Sequence, residues 1–356
     1  MMRVLHVLQE LSGGGAEAIA AQLVTGAQHA GCAVAVAGAR GNVRPEFDAP
    51  TFELPLIARK PVALMRAVRA LRRAIATWRP DLVHCHNPAM ALAVALAAGR
   101  GRPPAKIVTV HGSGARDTPL GTALLRWSGF DTVACGTGVA TALRARNVKS
   151  TLIPNGCPPA PPPLDRASLE AAFGSLQGRQ LVVGVGRLVP QKNHALLIRA
   201  AALLPDAVVV IAGEGVARAA LQRDADHAGV AGRVHLCGHR SDARALIAAA
   251  DALVIASRWE GLPLVALEAM TAGTPVVAVR AAWNEGLLTD GEDCLLVPPD
   301  DPLSIAGALA RLASDSGLAA RIAACAQGRA AQHSSERMTR EYLDLYDAVV
   351  RRVMQP

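Results

Sequence analysis

The sequence predicts an α/β protein of two domains, each built on a parallel sheet. Short apolar runs rich in valine and alanine alternate with helical stretches along the whole chain, which is the pattern of parallel sheets covered by helices. Six prolines among residues 154–163 interrupt this alternation once. Such a run forms neither a helix nor a central strand, so it is interpreted as a linker. With 356 residues, the chain is long enough for two separate cores.

Eleven strands are predicted, five before the proline run and six after it. They are 4–8, 33–37, 81–85, 106–111, 131–135, 181–186, 207–213, 233–238, 251–257, 275–279 and 294–298. The domains are therefore placed at residues 1–163 and 164–335.

The net charge is concentrated in the first half. Residues 1–165 contain 18 Lys/Arg and 9 Asp/Glu, a net charge of +9, whereas residues 166–356 contain 19 and 20, a net charge of −1. An anionic partner of the first domain and a basic, solvated surface both produce such asymmetry.

Other features of the composition narrow the class of protein. The seven cysteines are scattered and form no C-x-x-C pair, which predicts reduced thiols rather than disulfides or a zinc site. The first apolar run is too short for a signal peptide, and no apolar stretch reaches the length of a membrane span. We therefore expect a cytoplasmic protein.

Residues 257–279 carry the strongest chemical signal. A buried strand leads into a turn, and Pro263 then favours the first turn of a helix that Gly273 should end. The helix is apolar on every side except for Glu268, and a buried carboxylate needs hydrogen-bond partners. A helix N-terminus suits a phosphate, and a buried carboxylate suits a pair of hydroxyls. Together they indicate a nucleotide sugar.

The spacing of Glu260 and Glu268, with Gly261-Leu262-Pro263 between them, resembles the signature of retaining glycosyltransferases of family 4. These enzymes have the GT-B fold, in which two Rossmann-like domains face each other with their parallel sheets across a cleft. The resemblance implies that Glu268 holds the ribose hydroxyls and that Glu260 contacts the donor sugar. It also implies that backbone N–H groups of Gly261 and Leu262 meet the diphosphate.

Further matches to this family follow strands of the second domain. Arg187 and Lys192 resemble its G-R-L-x-x-x-K element, in which the two cations clamp the diphosphate. Cations suit that place because the leaving nucleoside diphosphate gathers negative charge. Gly213 and Gly238 match loops that line the nucleotide site. Downstream, the glycine pair usual in the family is replaced by Ala282-Trp283-Asn284.

In the first domain, three glycines follow the first strand and allow a ligand to approach the backbone. Their spacing is not the dinucleotide fingerprint. Gly14, Gly15 and Glu17 instead resemble the GGAE loop of family 4, which lies between the donor diphosphate and the acceptor. The two glycines are assigned to the donor and Glu17 to the acceptor side, with a flexible turn as the alternative.

Two histidines lie near strand ends, where α/β sheets bind ligands. The family resemblance implies that His111 faces the donor sugar. His86 is assigned to the acceptor side, as a residue that lines the cleft or packs beside it. His84 precedes it on the same strand and should be buried.

Two helices bear on partners. In residues 62–79, one face carries Leu64, Val68, Leu71 and Ile75, and arginines occupy the others. This helix either rests on an anionic membrane or covers the core with a solvated outer face. The terminal helix, at about 336–356, crosses back onto the first domain in the family.

Metal binding has one candidate motif, Asp224-Ala225-Asp226. It lies in a helical stretch, where positions i and i+2 point to different faces, so no metal site is predicted.

These features predict a metal-independent, retaining glycosyltransferase of the hexosyltransferase type, without a cofactor. The donor is a nucleoside-diphosphate sugar, with a UDP-sugar as the first expectation. The acceptor is either a small molecule or a lipid-linked saccharide, with weak peripheral contact at the inner face of the membrane as an open alternative. A nucleotide-sugar 2-epimerase of the same fold and a non-catalytic nucleotide- or nucleic-acid-binding module are the alternatives. Few aromatic residues are available for base stacking, which argues against nucleic acid.

Overall fold

A computed structural model describes residues 1–41, 47–57, 61–98, 104–112, 121, 123, 125, 126 and 129–355. The chain divides into two compact units, the first of Met1–Gly156 and Ser335–Pro356 and the second of Cys157–Ser334. Each unit contains a parallel sheet with helices packed on it. The predicted fold class is confirmed.

Within the described residues, the sheet of the first unit has seven parallel strands in the order β3-β2-β1-β4-β5-β6-β7. The strands are β1 Arg3–Leu11, β2 Ala33–Arg40, β3 Thr51–Glu53, β4 Leu82–Cys85, β5 Ala105–Val110, β6 Asp131–Ala134 and β7 Thr151–Leu152. Four of the helices are α1 Gly15–His29, α2 Pro61–Trp78, α3 Pro88–Ala97 and α4 Thr137–Arg144.

The second unit has a six-stranded parallel sheet in the order β10-β9-β8-β11-β12-β13. Its strands are β8 Gln180–Val185, β9 Ala207–Ala212, β10 Val234–Gly238, β11 Ala252–Ile255, β12 Val276–Val279 and β13 Leu295–Val297. Its helices are α5 Arg166–Phe173, α6 His194–Ala201, α7 Arg218–His227, α8 Ala243–Ala248, α9 Leu264–Ala272, α10 Pro302–Ser314 and α11 Ser316–Ala330.

Both sheets reverse their strand order at one point, between β1 and β4 in the first unit and between β8 and β11 in the second. In open α/β sheets, ligands bind outside the carboxyl ends of the strands at such a switch point. The loops after these four strands are therefore the places to look for a site.

All eleven predicted strands are present, with ends that differ by at most three residues, and two short strands were missed. β3 has three residues and β7 has two, and each lies at an edge of the first sheet. Their side chains are exposed or half-buried. An edge strand of this kind needs no apolar run, because its position depends on the strand beside it.

The proline segment is not a free linker. Arg244 of α8 donates from Nη2 to the carbonyl oxygens of Pro158, at 2.7 Å, and Pro159, at 2.8 Å. The amide of Leu164 donates to the carbonyl of Ala245. Prolines lack an N–H but keep an acceptor, and these acceptors attach the segment to the second unit. The unit boundary therefore lies after residue 156, instead of after residue 163 as predicted.

The last helix, α12 Ser335–Met354, packs on the first unit. It buries Met338, Tyr342, Tyr346 and Val349. Gly26 of α1 allows the two helices to approach closely, because a Cβ at this position would lie 2.2 Å from Cγ2 of Thr339. The terminal segment thus completes the core of the unit that the chain began with.

No helix within the described ranges is long and apolar enough to cross a membrane. The seven cysteines are free thiols.

We expect Gly26→Ala to lower the free energy of unfolding by about 1–3 kcal/mol, because the new methyl group overlaps Thr339. In a Thr339→Ala background, which removes the overlapping methyl, the same change should cost much less. Gly307→Ala on α10 is the matched control, since nothing lies within 4 Å of its added Cβ. The control should be neutral or stabilising by roughly 0.5–1 kcal/mol. Urea unfolding of the four variants measures these differences, and equal costs of Gly26→Ala in both backgrounds would contradict the close approach.

Candidate active site

An ion pair joins the loops that follow β8 and β11. Lys192 Nζ lies 2.6 Å from Glu260 Oε1, with side chains 16% and 10% exposed. Two more bonds connect the same loops: Gln191 Nε2 donates to the carbonyl of Trp259, and the amide of Arg258 donates to the carbonyl of Gln191. Two residues that the sequence assigned separately to the diphosphate and the sugar are thus partners of each other.

Arg187 is an exposed cation in the loop after β8 that also carries Lys192. It follows Gly186, which closes β8 with φ +149°. Among the described residues, its guanidinium has no hydrogen-bond or ion-pair partner. Arg187 is therefore available to an anion at the carboxyl end of β8.

The predicted donor-binding glycines Gly213 and Gly238 hold neighbouring loops together. A Cβ at Gly213 would lie 2.0 Å from the carbonyl oxygen of Gly186, and its φ of +150° favours glycine. The amide of Gly213 donates to the carbonyl of Gly238 at 2.7 Å. Backbone packing thus explains Gly213. Gly238 has a φ of +74°, and a Cβ there would lie 2.7 Å from Oε1 of Glu214, which also favours glycine.

Helix α9 begins at Leu264, one residue after Pro263, which stands at the N-cap position instead of lying in the first turn as predicted. Gly261, Leu262 and Pro263 are buried in the turn before it, and no side chain caps its N-terminus. The amide of Ala266 donates to the carbonyl of Pro263. Among the described residues, the amides of Leu264 and Val265 are left for another acceptor. Gly273 ends the helix with φ +75°, as predicted.

Glu268 of α9 has a cationic neighbour that sequence spacing did not reveal. Its Oε1 lies 3.7 Å from Nε of Arg244, which comes from α8, and its side chain is 17% exposed. Burial raises the pKa of Glu268, and Arg244 opposes this increase. A separation of 3.7 Å is too long for a hydrogen bond. The carboxylate therefore keeps acceptor capacity for a ligand.

The sequence shows Trp283 at a place where the family usually has glycine, but it predicts no role for this residue. It lies in a 3-10 turn, Ala282–Asn284, at the place of the usual glycine pair. The indole is 4% exposed, and its Nε1 donates to the carbonyl of Ser257 at 3.2 Å. Trp283 thus holds the backbone just after β11 in place. The tryptophan that stands at the usual glycine position therefore supports the loop that carries Glu260.

In the first unit, Gly14 and Glu17 lie together at the N-terminus of α1. A Cβ at Gly14 would be 2.3 Å from Oε2 of Glu17, so the glycine makes room for this carboxylate. A carboxylate is stabilised by the positive end of the helix dipole. Gly15 is the exposed first residue of the helix. An anionic donor at this loop would require Glu17 to move aside.

His111 and His86 belong to a chain of histidines. Nε2 of His111 lies 3.1 Å from Nδ1 of His86, and Nε2 of His86 lies 3.0 Å from Nδ1 of His6. His86 is 2% exposed and contacts His111 instead of solvent. His84 is fully buried, which confirms that prediction. His6, inside β1, was not singled out in the sequence because it carries no motif.

The four histidines are neutral near pH 7. Burial lowers the pKa of His6 to about 3 and that of His111 to about 4. Burial and the neighbouring rings hold the pKa of His84 and His86 well below the usual value.

Nitrogen atoms of His6, His84 and His86 lie within 4.8 Å of one another, close enough to suggest a metal site. His84, however, already bonds Tyr346 through Nδ1 and Thr109 through Nε2. A metal ion would have to displace such hydrogen bonds. The D-x-D residues Asp224 and Asp226 are exposed on α7, as the sequence indicated.

Comparison with known proteins defines the class. Residues 13–161 match the profile of "Glycosyltransferase Family 4", and residues 165–329 match that of "Glycosyl transferases group 1". Together the two matches cover most of the chain. The chain belongs to the GT-B glycosyltransferases of family 4.

Two relatives are similar over different lengths. The lipopolysaccharide core biosynthesis glycosyltransferase LpsD of Rhizobium meliloti is 34% identical over 187 residues, which are 52% of this chain and 53% of that protein. The chain thus matches about half the length of this relative. The UDP-Gal:alpha-D-GlcNAc-diphosphoundecaprenol alpha-1,3-galactosyltransferase of Escherichia coli is 28% identical, over 70% of this chain and 71% of its own.

Among solved structures, Anabaena HepE in complex with UDP and glucose has a similar fold. The TM-score is 0.82 and the sequence identity 20%, over 98% of this chain and 100% of that one.

Proposed function

We propose that this protein transfers a sugar from a nucleoside-diphosphate sugar to an acceptor hydroxyl, with retention of anomeric configuration and without a metal ion. The observation that carries the proposal is the set of charged groups at the carboxyl ends of β8 and β11. Arg187 is exposed in the loop after β8 that also carries Lys192 of the Lys192–Glu260 pair, and helix α9 begins without a side-chain cap after the loop that carries Glu260. Cations and helix amides together suit a diphosphate.

The chemistry follows from where charge develops. As the bond between sugar and phosphate breaks, the leaving diphosphate gains negative charge, which Arg187, Lys192 and the first turn of α9 would stabilise. A departing phosphate oxygen can take the proton of the acceptor hydroxyl on the same face. No protein nucleophile is then required. Lys192 would share its charge between Glu260 and the diphosphate.

The donor is proposed to bind through its ribose to Glu268. This carboxylate is largely buried, and its contact of 3.7 Å with Arg244 is too long for a hydrogen bond. A pair of hydroxyls would supply the missing hydrogen bonds. A UDP-sugar is the first candidate, since HepE was solved with UDP and the E. coli relative is named for UDP-Gal. The family matches do not favour the epimerase or the non-catalytic module.

A panel of UDP-, GDP-, ADP- and TDP-sugars tests the function directly. Purified protein should release the nucleoside diphosphate from one of them, and the sugar should appear on an acceptor with its configuration retained. Arg187→Ala should slow this turnover roughly a hundredfold or more, because a group that stabilises the leaving charge is lost. Lys192→Ala should act in the same direction.

Arg258→Ala is the matched control, because Arg258 is an exposed arginine that pairs with Asp300 on the surface. The control should retain turnover within about twofold, as expected of a surface ion pair. Turnover near wild type in Arg187→Ala would remove that residue from the site. The assays contain EDTA, and activity that appears only after manganese is added would contradict the metal-free mechanism.

We expect Glu268→Gln to weaken the binding of both the donor and its nucleoside diphosphate. A charged acceptor to the ribose becomes neutral, and hydrogen bonds to charged groups contribute about 1.5–3 kcal/mol, so the dissociation constant should rise roughly tenfold or more. Isothermal titration calorimetry measures it. Glu170→Gln, at an exposed ion pair with Arg166 on α5, should leave affinity unchanged. Equal affinities of the two variants would exclude Glu268 as a ribose ligand.

We further propose that α2 makes weak contact with an anionic membrane. Its inner face buries Val68 and Leu71, and Leu64 and Ile75 are half-buried. Its outer face is not merely charged. Two apolar side chains, Val62 and Met65, are 63% and 49% exposed. At helical spacing they share a stripe with Arg66, Arg69 and Arg73, all exposed. Such a stripe suits the headgroup region.

Sedimentation with phosphatidylglycerol vesicles tests this contact. Wild type should pellet with the vesicles at low salt and less at moderate salt, since each basic residue near such a surface contributes about 1 kcal/mol. Arg66, Arg69 and Arg73 changed together to Gln should abolish pelleting. Arg144, Arg146 and Lys149 changed to Gln are the control, with the same loss of three charges on α4 and the loop after it. If both triple variants lose binding equally, net charge and not the α2 stripe is responsible.

A further inference from the structure

Three imidazoles run in line from the interior of the first unit to the carboxyl end of β5. His6 bonds His86, and His86 bonds His111, over 3.0 and 3.1 Å. The rings of His86 and His111 are stacked with an angle of 9° between their planes, and those of His6 and His86 with 25°. The chain thus uses Nδ1 of His6, both nitrogens of His86 and Nε2 of His111.

A chain of neutral imidazoles has a direction. Each ring carries one N–H and one bare nitrogen, so a donor at one contact fixes an acceptor at the next. Only two arrangements satisfy both contacts. In one, His6 donates to His86 and His86 donates to His111. In the other, both donations are reversed.

The inner end of the chain selects between them. Nε2 of His6 is buried and has no hydrogen-bond partner among the described residues. In the reversed arrangement this atom would carry a proton, and orphaned buried N–H groups are rarer in proteins than under-satisfied acceptors. The first arrangement leaves only a bare nitrogen there. His6 and His86 then carry their protons on Nδ1.

The described titratable groups packed against these histidines supply no charge that would reverse the arrangement. His84 packs against the rings of His6 and His86 and bonds Tyr346 and Thr109. Tyr342 and Tyr346 of α12 are buried, and burial raises the pKa of both. Cys85, next to His84 and His86 in the chain, is a buried thiol whose pKa burial also raises. All of these groups are neutral near pH 7.

We propose that His6 and His86 are positioning residues that hold His111 in its Nδ1–H tautomer, so that Nδ1 of His111 donates a hydrogen bond to a sugar oxygen of a ligand bound at the carboxyl end of β5. Nε2 of His111 accepts from His86 and cannot act as a base. Nδ1 has no partner among the described residues, so it is the nitrogen left for a ligand. The choice of ligand rests on the proposed function, whereas the tautomer rests only on the hydrogen bonds between the three histidines.

Nitrogen-15 NMR of histidine-labelled, full-length wild type tests the tautomer without any substrate. Two-bond correlations between ring nitrogens and ring protons show which nitrogen carries the proton. His111 and His86 should each show a protonated Nδ1 and a bare Nε2 from pH 6 to pH 8. A protonated Nε2 on His111 would overturn the proposal, whatever the enzymatic activity.

Two variants separate the hydrogen bond from the bulk of the ring. His86→Phe keeps a buried ring but removes the donor, so His111 should populate both tautomers. His86→Asn keeps an amide donor near the former Nδ1, so His111 should return to the single Nδ1–H form. Tyr346→Phe removes the bond to His84 but no contact of the chain, and should leave His111 unchanged. A single Nδ1–H tautomer in His86→Phe would show that His86 does not set it.

Kinetics and zinc complete the test. With the donor found in the panel, kcat/KM of His86→Phe should fall by up to roughly tenfold, as for the loss of one neutral hydrogen bond, and His86→Asn should recover most of it. If no sugar is transferred, the proposed function fails while the tautomer can still be read. If the protein binds Zn²⁺ stoichiometrically and His84→Phe abolishes this binding, the histidine nitrogens are metal ligands. That result would overturn the proposed hydrogen-bonded chain of histidines.

Discussion

The ion pair between Lys192 and Glu260 is the contact on which the candidate site depends. It joins the loops after β8 and β11, which flank the switch point of the second sheet. Both side chains are largely buried, so removing one partner would leave the other charge uncompensated, at a cost of up to about 3–5 kcal/mol. The bonds from Gln191 to Trp259 and from Trp283 to Ser257 support the same loops. None of these contacts involves the side chain of Arg187, which is exposed.

Glycines allow close approach of neighbouring segments, both at the candidate site and elsewhere in the protein. Where β8 and β9 end, the backbones of Gly186 and Gly213 approach so closely that no side chain fits between them. Gly14 likewise yields space to Glu17, and Gly26 to Thr339. In each case the glycine leaves room for a neighbouring group, which is the backbone of another loop, a carboxylate or a threonine side chain. A glycine motif in this chain therefore marks close approach, which is compatible with a ligand but does not require one.

The candidate site residues of the two units include different kinds of buried polar contact. In the second unit, charges of opposite sign face each other, as in Lys192 with Glu260 and Arg244 with Glu268. In the first unit, burial keeps the histidines uncharged, and hydrogen bonds between neutral groups satisfy most of their nitrogens. Tyr342 and Tyr346 extend this neutral network to the terminal helix, which ties the last segment of the chain to β4 and β5. The contrast matches the tasks proposed for the two units, since only the second would hold a diphosphate.

The sequence by itself determined the alternation of strands and helices, the two parallel sheets, and the helix that runs from Pro263 to Gly273. These follow from apolar runs and from glycine and proline, whose effects act within a few residues. It also picked out Arg187, Glu260 and Glu268 through a family pattern. Only the tertiary structure decided which groups meet. Arg244 reaches Glu268 from another helix, Lys192 pairs across 68 residues with Glu260, and His6 joins His86 across 80. The proline segment joined the second unit for the same reason, because Arg244 binds its carbonyl oxygens. Long-range pairing depends on how strands and helices pack, and no local pattern in the chain encodes it.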